Sequence, residues 1–198
     1  MNKPGRPKTF ERETALAQAA QVFWQQGYAA TSMDDLGKAM GLNRPSIYNA
    51  FGNKAALYRE SLAMFCGQLD QGIENSIATT DNLRDGLIQF FDQALNVYCA
   101  PEPSLGCLMI CTAPAEAINT STVKADFAAL IKRLDEVFEK SLKRAVRAGD
   151  LEADSDPKML AMSLQASLHT IALRSRAGAS KQSLKKYVRF AVEQLPWS

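Results

Sequence analysis

The sequence predicts an all-α fold of about nine helices. Apolar residues recur at helical spacing along most of the 198 residues. No stretch shows the alternation of apolar and polar residues, bounded by turn signals, that is typical of a strand. The sequence contains neither an internal repeat nor a low-complexity tract. The length suits one domain, or a small domain joined to a larger one.

The first two helices are predicted from their apolar spacing and their end signals. Helical spacing extends over residues 9–26, and Gly27 is a typical residue to follow a helix C-terminus. The second helix is predicted over residues 33–40. Ser32 is a good N-cap for it, and Asp35 stands where the acidic residue of a capping box is found.

The third helix is predicted to be short and to follow the second closely. Gly41 ends the second helix, and Asn43 caps the third, which tolerates Pro45 in its first turn. Gly52 breaks the third helix. A long fourth helix then covers residues 54–77.

The rest of the chain is also predicted to be helical. Pro114 is expected to kink or end the helix that contains it. The predicted helices are residues 82–99, 105–118, 122–148, 157–177 and 180–195.

Charge and composition limit the location and the partners. Residues 1–60 carry eight Lys or Arg against five Asp or Glu, whereas the remainder has a net charge of −1. The positive charge thus lies at the front of the chain, where it can meet a polyanion. The start has no export signal, and no apolar run approaches the roughly 20 residues of a membrane span. We expect a cytoplasmic protein with reduced thiols, no membrane contact and no cofactor.

The third helix is predicted to have a buried face and a hydrogen-bonding face. Ile47 and Phe51 lie one turn apart and should face the preceding helix. The opposite surface and its edges are short and polar, and consist of Arg44, Pro45, Ser46, Tyr48 and Asn49. Two short helices with a glycine between them form either an ordinary hairpin or a helix-turn-helix. In the latter, the second helix enters the DNA major groove.

Three nearby features favour DNA over an ordinary hairpin. Arg6 and Lys8 lie in a basic tail, residues 1–8, that could follow the duplex. Thr31 and Ser32 precede a helix N-terminus, which suits a phosphate. Lys54 opens the fourth helix and could reach a phosphate beside the third.

The stretch "AAQVFWQQGYAATSMDDLGKAMGLNRPSIYNAFGNKAALY" resembles the DNA-binding domain of the tetracycline-repressor (TetR) family. The resemblance covers about residues 10–60. The matching positions are Phe23, Gly27-Tyr28, Thr31-Ser32, Leu36, Ala39, Gly41-Leu42, Tyr48, Phe51, Lys54 and Leu57-Tyr58. One departure is Asn49-Ala50, where the family often has an aromatic residue or histidine before the phenylalanine. Because asparagine pairs with adenine N6 and N7, Asn49 is a candidate base reader.

The resemblance implies a homodimeric transcription factor, usually a repressor released from a palindromic operator by a small molecule. Residues 1–53 would then bind double-stranded DNA, and residues 54–198 would bind the effector and dimerise. The family's last two helices usually form the dimer interface, which here means about residues 157–177 and 180–195. The chain has no P-loop, GxGxxG, HExxH or nucleophile-elbow motif, so we predict no catalytic residues.

The segment "GCLMICTAPAEA" contains two cysteines on one helix face, and three interpretations remain open. Cys107 and Cys111 could be small buried apolar residues, as most free cysteines are. Alternatively, Cys107 could be a reactive thiol, which would make the protein a redox or electrophile sensor of the same fold. In the third interpretation, the thiols bind a metal ion together with Cys66 or His169. The spacing of the cysteines is not that of a zinc site, so we predict no metal site.

Ten residues are candidates for the effector pocket, although each could instead belong to an ordinary core. Glu116, among apolar neighbours, could contact a ligand or cap a neighbouring helix. His169, the only histidine, follows an apolar run. The candidates are Phe65, Leu69, Phe90, Phe91, Tyr98, Cys107, Met109, Cys111, Glu116 and His169.

Overall fold

The computed structural model describes residues 8–78 and 80–198, with side chains from Arg12 onward. Within those residues the chain forms nine α-helices and no strand beyond an isolated bridge between Leu151 and Trp197, which confirms the all-α prediction. The helices are α1 (Lys8–Ala30), α2 (Met33–Met40), α3 (Arg44–Phe51), α4 (Lys54–Ile73), α5 (Leu83–Tyr98), α6 (Leu108–Ala117), α7 (Ser121–Ala148), α8 (Pro157–Arg176) and α9 (Lys181–Glu193).

The chain divides into two compact units, Met1–Phe65 and Cys66–Ser198. The first part of α4 belongs to the first unit because its side chains complete the core formed by α1–α3. Tyr58 is fully buried, and its ring lies edge-on to Phe23 with 5.0 Å between the centroids. The functional division at residue 53 stays a prediction.

Helix α1 runs on to Ala30, past the predicted end at residue 26. Gly27 nevertheless interrupts it, with φ 78° and ψ 171°, a conformation open to glycine alone. The Thr31 hydroxyl then donates a hydrogen bond of 2.6 Å to the Gly27 carbonyl. The glycine was correctly read as a break, but the chain resumes a helical path for one short turn beyond it.

The ends of α2 and α3 are fixed by side-chain caps. The Asp35 N–H donates to the Ser32 hydroxyl at 3.1 Å, and the Ser32 N–H donates to the Asp35 carboxylate at 3.0 Å. The predicted capping box is therefore present. Asn43 accepts a 2.9 Å hydrogen bond from the Ser46 N–H, and Pro45 lies in the first turn of α3.

Helix α4 ends at Ile73 and continues as a π-helical segment, Glu74–Ala78, where an α-helix to residue 77 was predicted. The Arg144 guanidinium of α7 donates to the carbonyls of Ile77 and Ala78 at 3.0 and 3.1 Å. This donor from a distant helix satisfies carbonyls at the end of the segment. Local apolar periodicity carries no information about such a partner.

Helix α6 begins at Leu108, not at residue 105 as predicted. The reason is that the N–H groups of Leu105 and Gly106 both donate to the Tyr98 carbonyl, at 3.2 and 3.1 Å. These bonds hold the two residues against the end of α5 in a non-helical conformation. Pro114 lies inside α6 and does not end it.

Helices α8 and α9 begin and end within two residues of their predicted bounds. Helix α8 packs on α7 and α9, and α9 also packs on α5. No helix in the described part of the chain is long and apolar enough to cross a membrane.

Candidate nucleic-acid interface

Helix α3 has one buried face and one exposed face. Ile47 and Phe51 are buried in the first unit, with 0% and 4% of their surfaces accessible. Pro45 and Asn49 are exposed, and Tyr48 keeps 49% of its surface accessible. These burials agree with the predicted inward and outward faces. The helix therefore presents a short polar surface with one aromatic ring to solvent.

Arg44, at the first position of α3, forms a bidentate ion pair with Asp34 in the first turn of α2. The Arg44 Nε and Nη2 groups donate to the two carboxylate oxygens at 2.9 and 2.7 Å. Hydrogen bonding and the charge of Arg44 lower the pKa of Asp34, and the same pair raises the pKa of Arg44. Both side chains stay more than half exposed, so both lie within reach of a bound molecule.

Lys54 opens α4 and lies over an aromatic ring. Its Nζ is 4.3 Å from the centroid of the Tyr28 ring, which is a cation–π geometry. The Tyr28 ring lies 5.0 Å from that of Tyr58 and 6.2 Å from that of Phe23. The buried rings thereby hold Tyr28, and Tyr28 restricts the position of the Lys54 ammonium group.

Arg12 of α1 holds the C-terminal end of α3 and the start of α4 together. Its Nη2 donates to both Glu60 carboxylate oxygens, at 2.9 and 2.7 Å, and its guanidinium lies 4.5 Å from the Phe51 ring centroid. An open concavity of about 520 Å³ lies beside this clamp. Ser46 and Asn49 are among the residues that line it, so the exposed face of α3 borders a recess.

The candidate phosphate contacts differ in their accessibility. Thr31 is buried and its hydroxyl already donates to a carbonyl, whereas Ser32 is exposed. The Ser32 hydroxyl takes part in the capping box. The hydrogen bonds that Ser32 donates to the Asp35 carboxylate lower the pKa of Asp35. Arg6 and the Lys8 side chain lie outside the described residues.

Sequence reasoning missed three residues of this surface. Asp34 was included only in the charge balance, and Arg44, the oppositely charged residue ten positions later, was the available signal. Tyr28 was identified as a motif residue without a role. Arg12 was counted only in the charge balance, and nothing local to it indicates Glu60 as its partner.

Most of the effector-pocket candidates are buried in the second unit. Phe90 lies 5.7 Å from Phe91 and 5.8 Å from Phe138, ring centroid to ring centroid. Leu69, Tyr98 and Met109 are buried as well. Phe65 is buried in the first unit, 5.1 Å from the Trp24 ring. Aromatic burial of this kind is compatible with either a ligand pocket or a core.

Two polar candidates of the second unit have identified neighbours. Glu116 accepts a hydrogen bond from the hydroxyl of Thr120, the residue that precedes α7. This contact favours the interpretation that Glu116 supports a neighbouring helix end. His169 is partly buried, which lowers its pKa, while Asp135 acts in the opposite direction. Across the described residues, no three His, Cys, Asp or Glu side chains are placed to hold a metal ion.

The thiols of the second unit lie in partly or fully buried surroundings. Burial raises the pKa of Cys107 to about 11 and that of Cys66 to about 12. Cys111 is half-buried, and its pKa is raised by burial while Arg176 acts to lower it. Charge on Cys107 also contributes to the raised pKa of Cys66, and charge on Cys111 to that of Cys107, so the three thiols lie near one another.

The geometry defines a class of protein. Two short, individually capped helices place a polar surface at the start of the second one, and a larger helical unit follows. This arrangement is that of helix-turn-helix DNA-binding proteins that carry an additional helical unit.

Comparisons with known proteins identify the family. The family model described as "Bacterial regulatory proteins, tetR family" matches residues 15–61, and "Tetracyclin repressor-like, C-terminal domain" matches residues 84–191. The chain belongs to the TetR family and is a DNA-binding transcriptional regulator.

Individual relatives are similar over nearly the whole chain. The HTH-type transcriptional repressor ComR of Escherichia coli (strain K12) is 29% identical over 187 residues, which cover 91% of this chain and 86% of ComR. A cysteine mutant of the TetR family regulator CifR, complexed with 26-base-pair operator DNA, is 28% identical with a TM-score of 0.84. The match covers 97% of this chain and 100% of the CifR chain. Reduced E. coli NemR, 18% identical with a TM-score of 0.80 over 96% and 97% of the chains, shares the fold.

Proposed function

We propose that this protein is a homodimeric repressor that leaves a palindromic operator when a small-molecule effector binds its second unit. The observation that carries the proposal is the exposed polar face of α3, held in place by the capped α2–α3 turn. ComR, described as a repressor, and CifR, bound to operator DNA, support it by similarity. The proposal includes a cytoplasmic location, where the chromosomal DNA lies, and no catalytic role.

The proposed DNA contacts divide into base readers and phosphate contacts. On α3, Tyr48 and Asn49 are exposed where major-groove edges would lie, and Pro45 and Ser46 flank them. The proposed phosphate contacts, which set orientation without reading sequence, are Arg6, Lys8, Ser32 and Lys54. The Thr31 hydroxyl is left out because it is buried and donates to the Gly27 carbonyl. Arg44 stands between the two groups, at the N-terminal edge of the helix.

The proposed dimer interface consists of α8 and α9. Four large apolar side chains on these two helices are exposed in the single chain: Met159 at 58%, Met162 at 49%, Leu173 at 53% and Phe190 at 61%. Exposed large apolar residues concentrated on adjacent helices mark an interaction surface. A two-fold dimer would place two copies of α3 on successive major-groove faces, about 34–36 Å apart.

Release is proposed to follow from a population shift between two states of the dimer. An effector that binds better to the state with altered spacing of the α3 helices favours dissociation. A coupling of about 1–3 kcal/mol, or about 5- to 150-fold in affinity, is typical of such linkage. Helix α4 is the proposed connection because it begins in the first unit and continues into the second.

The test of the proposed function is DNA binding by the purified chain. Duplexes from the intergenic region beside its own gene are titrated at several salt concentrations. We expect one duplex to bind preferentially, with log affinity falling by about 0.9 per phosphate contact for each unit of log salt. Compounds that raise the thermal stability of the protein are then added to the protein–DNA complex. At least one of them should release the protein from the duplex. Equal binding to all duplexes would contradict the proposal.

The proposed dimer interface is tested by substitutions that introduce a charge. Phe190→Glu and Leu173→Glu place a charge in the proposed interface, so each should halve the mass measured by light scattering after gel filtration. Operator affinity should fall with it because a monomer reaches one half-site. Ile118→Glu is the control, since Ile118 is 85% exposed but lies outside α8 and α9. A dimer that survives both interface substitutions would place the interface elsewhere.

A second candidate function, regulation through a reactive Cys107 thiol, is favoured by the neighbouring thiols and opposed by burial. Cys107 is 1% exposed, and a pKa of about 11 against an ordinary 9.0 lowers its thiolate fraction at pH 7 about 100-fold. We therefore predict slow alkylation of Cys107 by iodoacetamide at pH 7, with the rate rising steadily towards pH 11. Mass spectrometry of the peptides measures it, with the half-buried Cys99 as the comparison. Rapid modification of Cys107 at neutral pH, together with loss of DNA binding, would support the thiol sensor.

A further inference from the structure

We propose that Asp34 is a specificity-determining residue, which holds Arg44 so that the free edge of its guanidinium reads a guanine. The inference rests on the proposed DNA-binding role of α3 and deepens it. In this arrangement Arg44 contacts the base, and Asp34 is a positioning residue that acts through Arg44.

The hydrogen bonds determine which edge of Arg44 is free. The carboxylate takes the side edge of the guanidinium, with Nε donating to Oδ1 at 2.9 Å and Nη2 donating to Oδ2 at 2.7 Å. The end edge keeps two parallel N–H groups, one on Nη1 and one on Nη2. Two parallel N–H donors match the O6 and N7 acceptors that guanine presents in the major groove.

Both partners stand on backbone that is fixed by its own local structure. Asp34 lies in the first turn of α2, whose start is closed by the capping box of Ser32 and Asp35. The Asp35 carboxylate is committed to that cap, so Asp34 is the acid left for Arg44. Arg44 begins α3 directly after its N-cap, Asn43. The pair therefore joins the starts of the two helices of the helix-turn-helix.

The placement of Asp34 is unfavourable for affinity alone. Asp34 and Arg44 have side chains that are 63% and 58% exposed, and an ion pair this exposed contributes little to stability. A carboxylate beside a polyanion repels it, whereas an unrestrained arginine would reach the nearest phosphate and bind any sequence. By holding Arg44, Asp34 lowers non-specific affinity and preserves selectivity. This is a role for the carboxylate that its small contribution to stability does not provide.

The experiment measures specificity directly on the full-length protein. A preferred duplex is selected from a random library by the wild type, and a scrambled duplex of the same length and composition is the reference. Affinities for both are measured by fluorescence anisotropy at several salt concentrations for the wild type, Asp34→Asn and Arg44→Lys. Glu136→Gln removes the same charge from another exposed ion pair and is the control. Thermal unfolding checks that each variant is folded.

Asp34→Asn should bind the scrambled duplex more tightly and with a steeper salt dependence, because Arg44 is then free to contact a phosphate. Its ratio of preferred to scrambled affinity should fall about 5- to 150-fold, the worth of one bidentate base contact. In Arg44→Lys this ratio should fall by a similar factor, because an ammonium group lacks the two parallel N–H donors of the guanidinium. Glu136→Gln should leave the ratio unchanged.

A modified base identifies the contact. Replacing each guanine of the preferred duplex in turn by 7-deazaguanine removes its N7 acceptor. One position should weaken wild-type binding while leaving Arg44→Lys unaffected. An unchanged ratio in Asp34→Asn, or full selectivity in Arg44→Lys, would overturn the inference while the proposed function stands. A wild type with no preference for any duplex would overturn both.

Discussion

Gly106→Ala is expected to lower the free energy of unfolding by about 2–5 kcal/mol, from two separate causes. Gly106 has φ +70°, a conformation that costs an L-residue roughly 1–2 kcal/mol. A Cβ there would also lie 2.3 Å from the Ala172 carbonyl oxygen and 2.9 Å from the Cys111 Sγ. Forcing such an overlap costs roughly 1–3 kcal/mol more, because α8 or α6 must shift.

Gly149→Ala separates the two causes. Gly149 has φ +83°, but a Cβ there would meet no atom within 4 Å, so only the backbone cost of roughly 1–2 kcal/mol applies. Thermal unfolding of both variants, at one protein concentration, measures the difference. Equal losses in the two variants would show that the approach of α8 to Gly106 is not tight.

Ile47→Ala and Asn49→Ala are expected to affect different properties although the two residues lie on one eight-residue helix: the first should lower stability and the second operator affinity. Ile47 is fully buried, so its truncation should destabilise the first unit by roughly 2–5 kcal/mol. Asn49 is exposed, so its truncation should change stability by less than about 0.5 kcal/mol. If Asn49 pairs with adenine, operator affinity falls by roughly 1–3 kcal/mol, or about 5- to 150-fold.

The two tryptophans allow the first unit to be followed by itself. Trp24 lies in the first unit and Trp197 in the second, so a Trp197→Phe background leaves Trp24 as the only indole. Its fluorescence during urea unfolding reports the stability of the unit that contains α3.

An Asn49→Ala variant that keeps its base preference would remove the adenine hypothesis. A stable Ile47→Ala variant would contradict the packing of α3.

The helix-turn-helix was predictable because its signals are local. Ser32 with Asp35, Asn43 with Pro45, and the glycine between the helices each fix a helix end within a few residues. The spacing of Ile47 and Phe51 then fixes which face of α3 is buried. No partner from elsewhere in the chain is needed for these inferences, so a single sequence contains them.

The second unit was less predictable because distant residues decide its details. The π-helical segment ends on a donor from α7, Arg144, and the late start of α6 depends on the Tyr98 carbonyl. The environment of Cys107 likewise depends on neighbours contributed by other helices. Periodicity identifies the apolar face of a helix but not the atoms that it meets.

By itself, the sequence determined the all-α class, the position of the helix-turn-helix and the family, because spacing, caps and motif residues act over short distances. Only the tertiary structure decided that Asp34 holds Arg44, that Tyr28 supports Lys54 and that Gly106 lies against α8. The physical reason is that hydrogen bonds, ring contacts and steric approach depend on distances in space, and these distances exist only once the helices are packed.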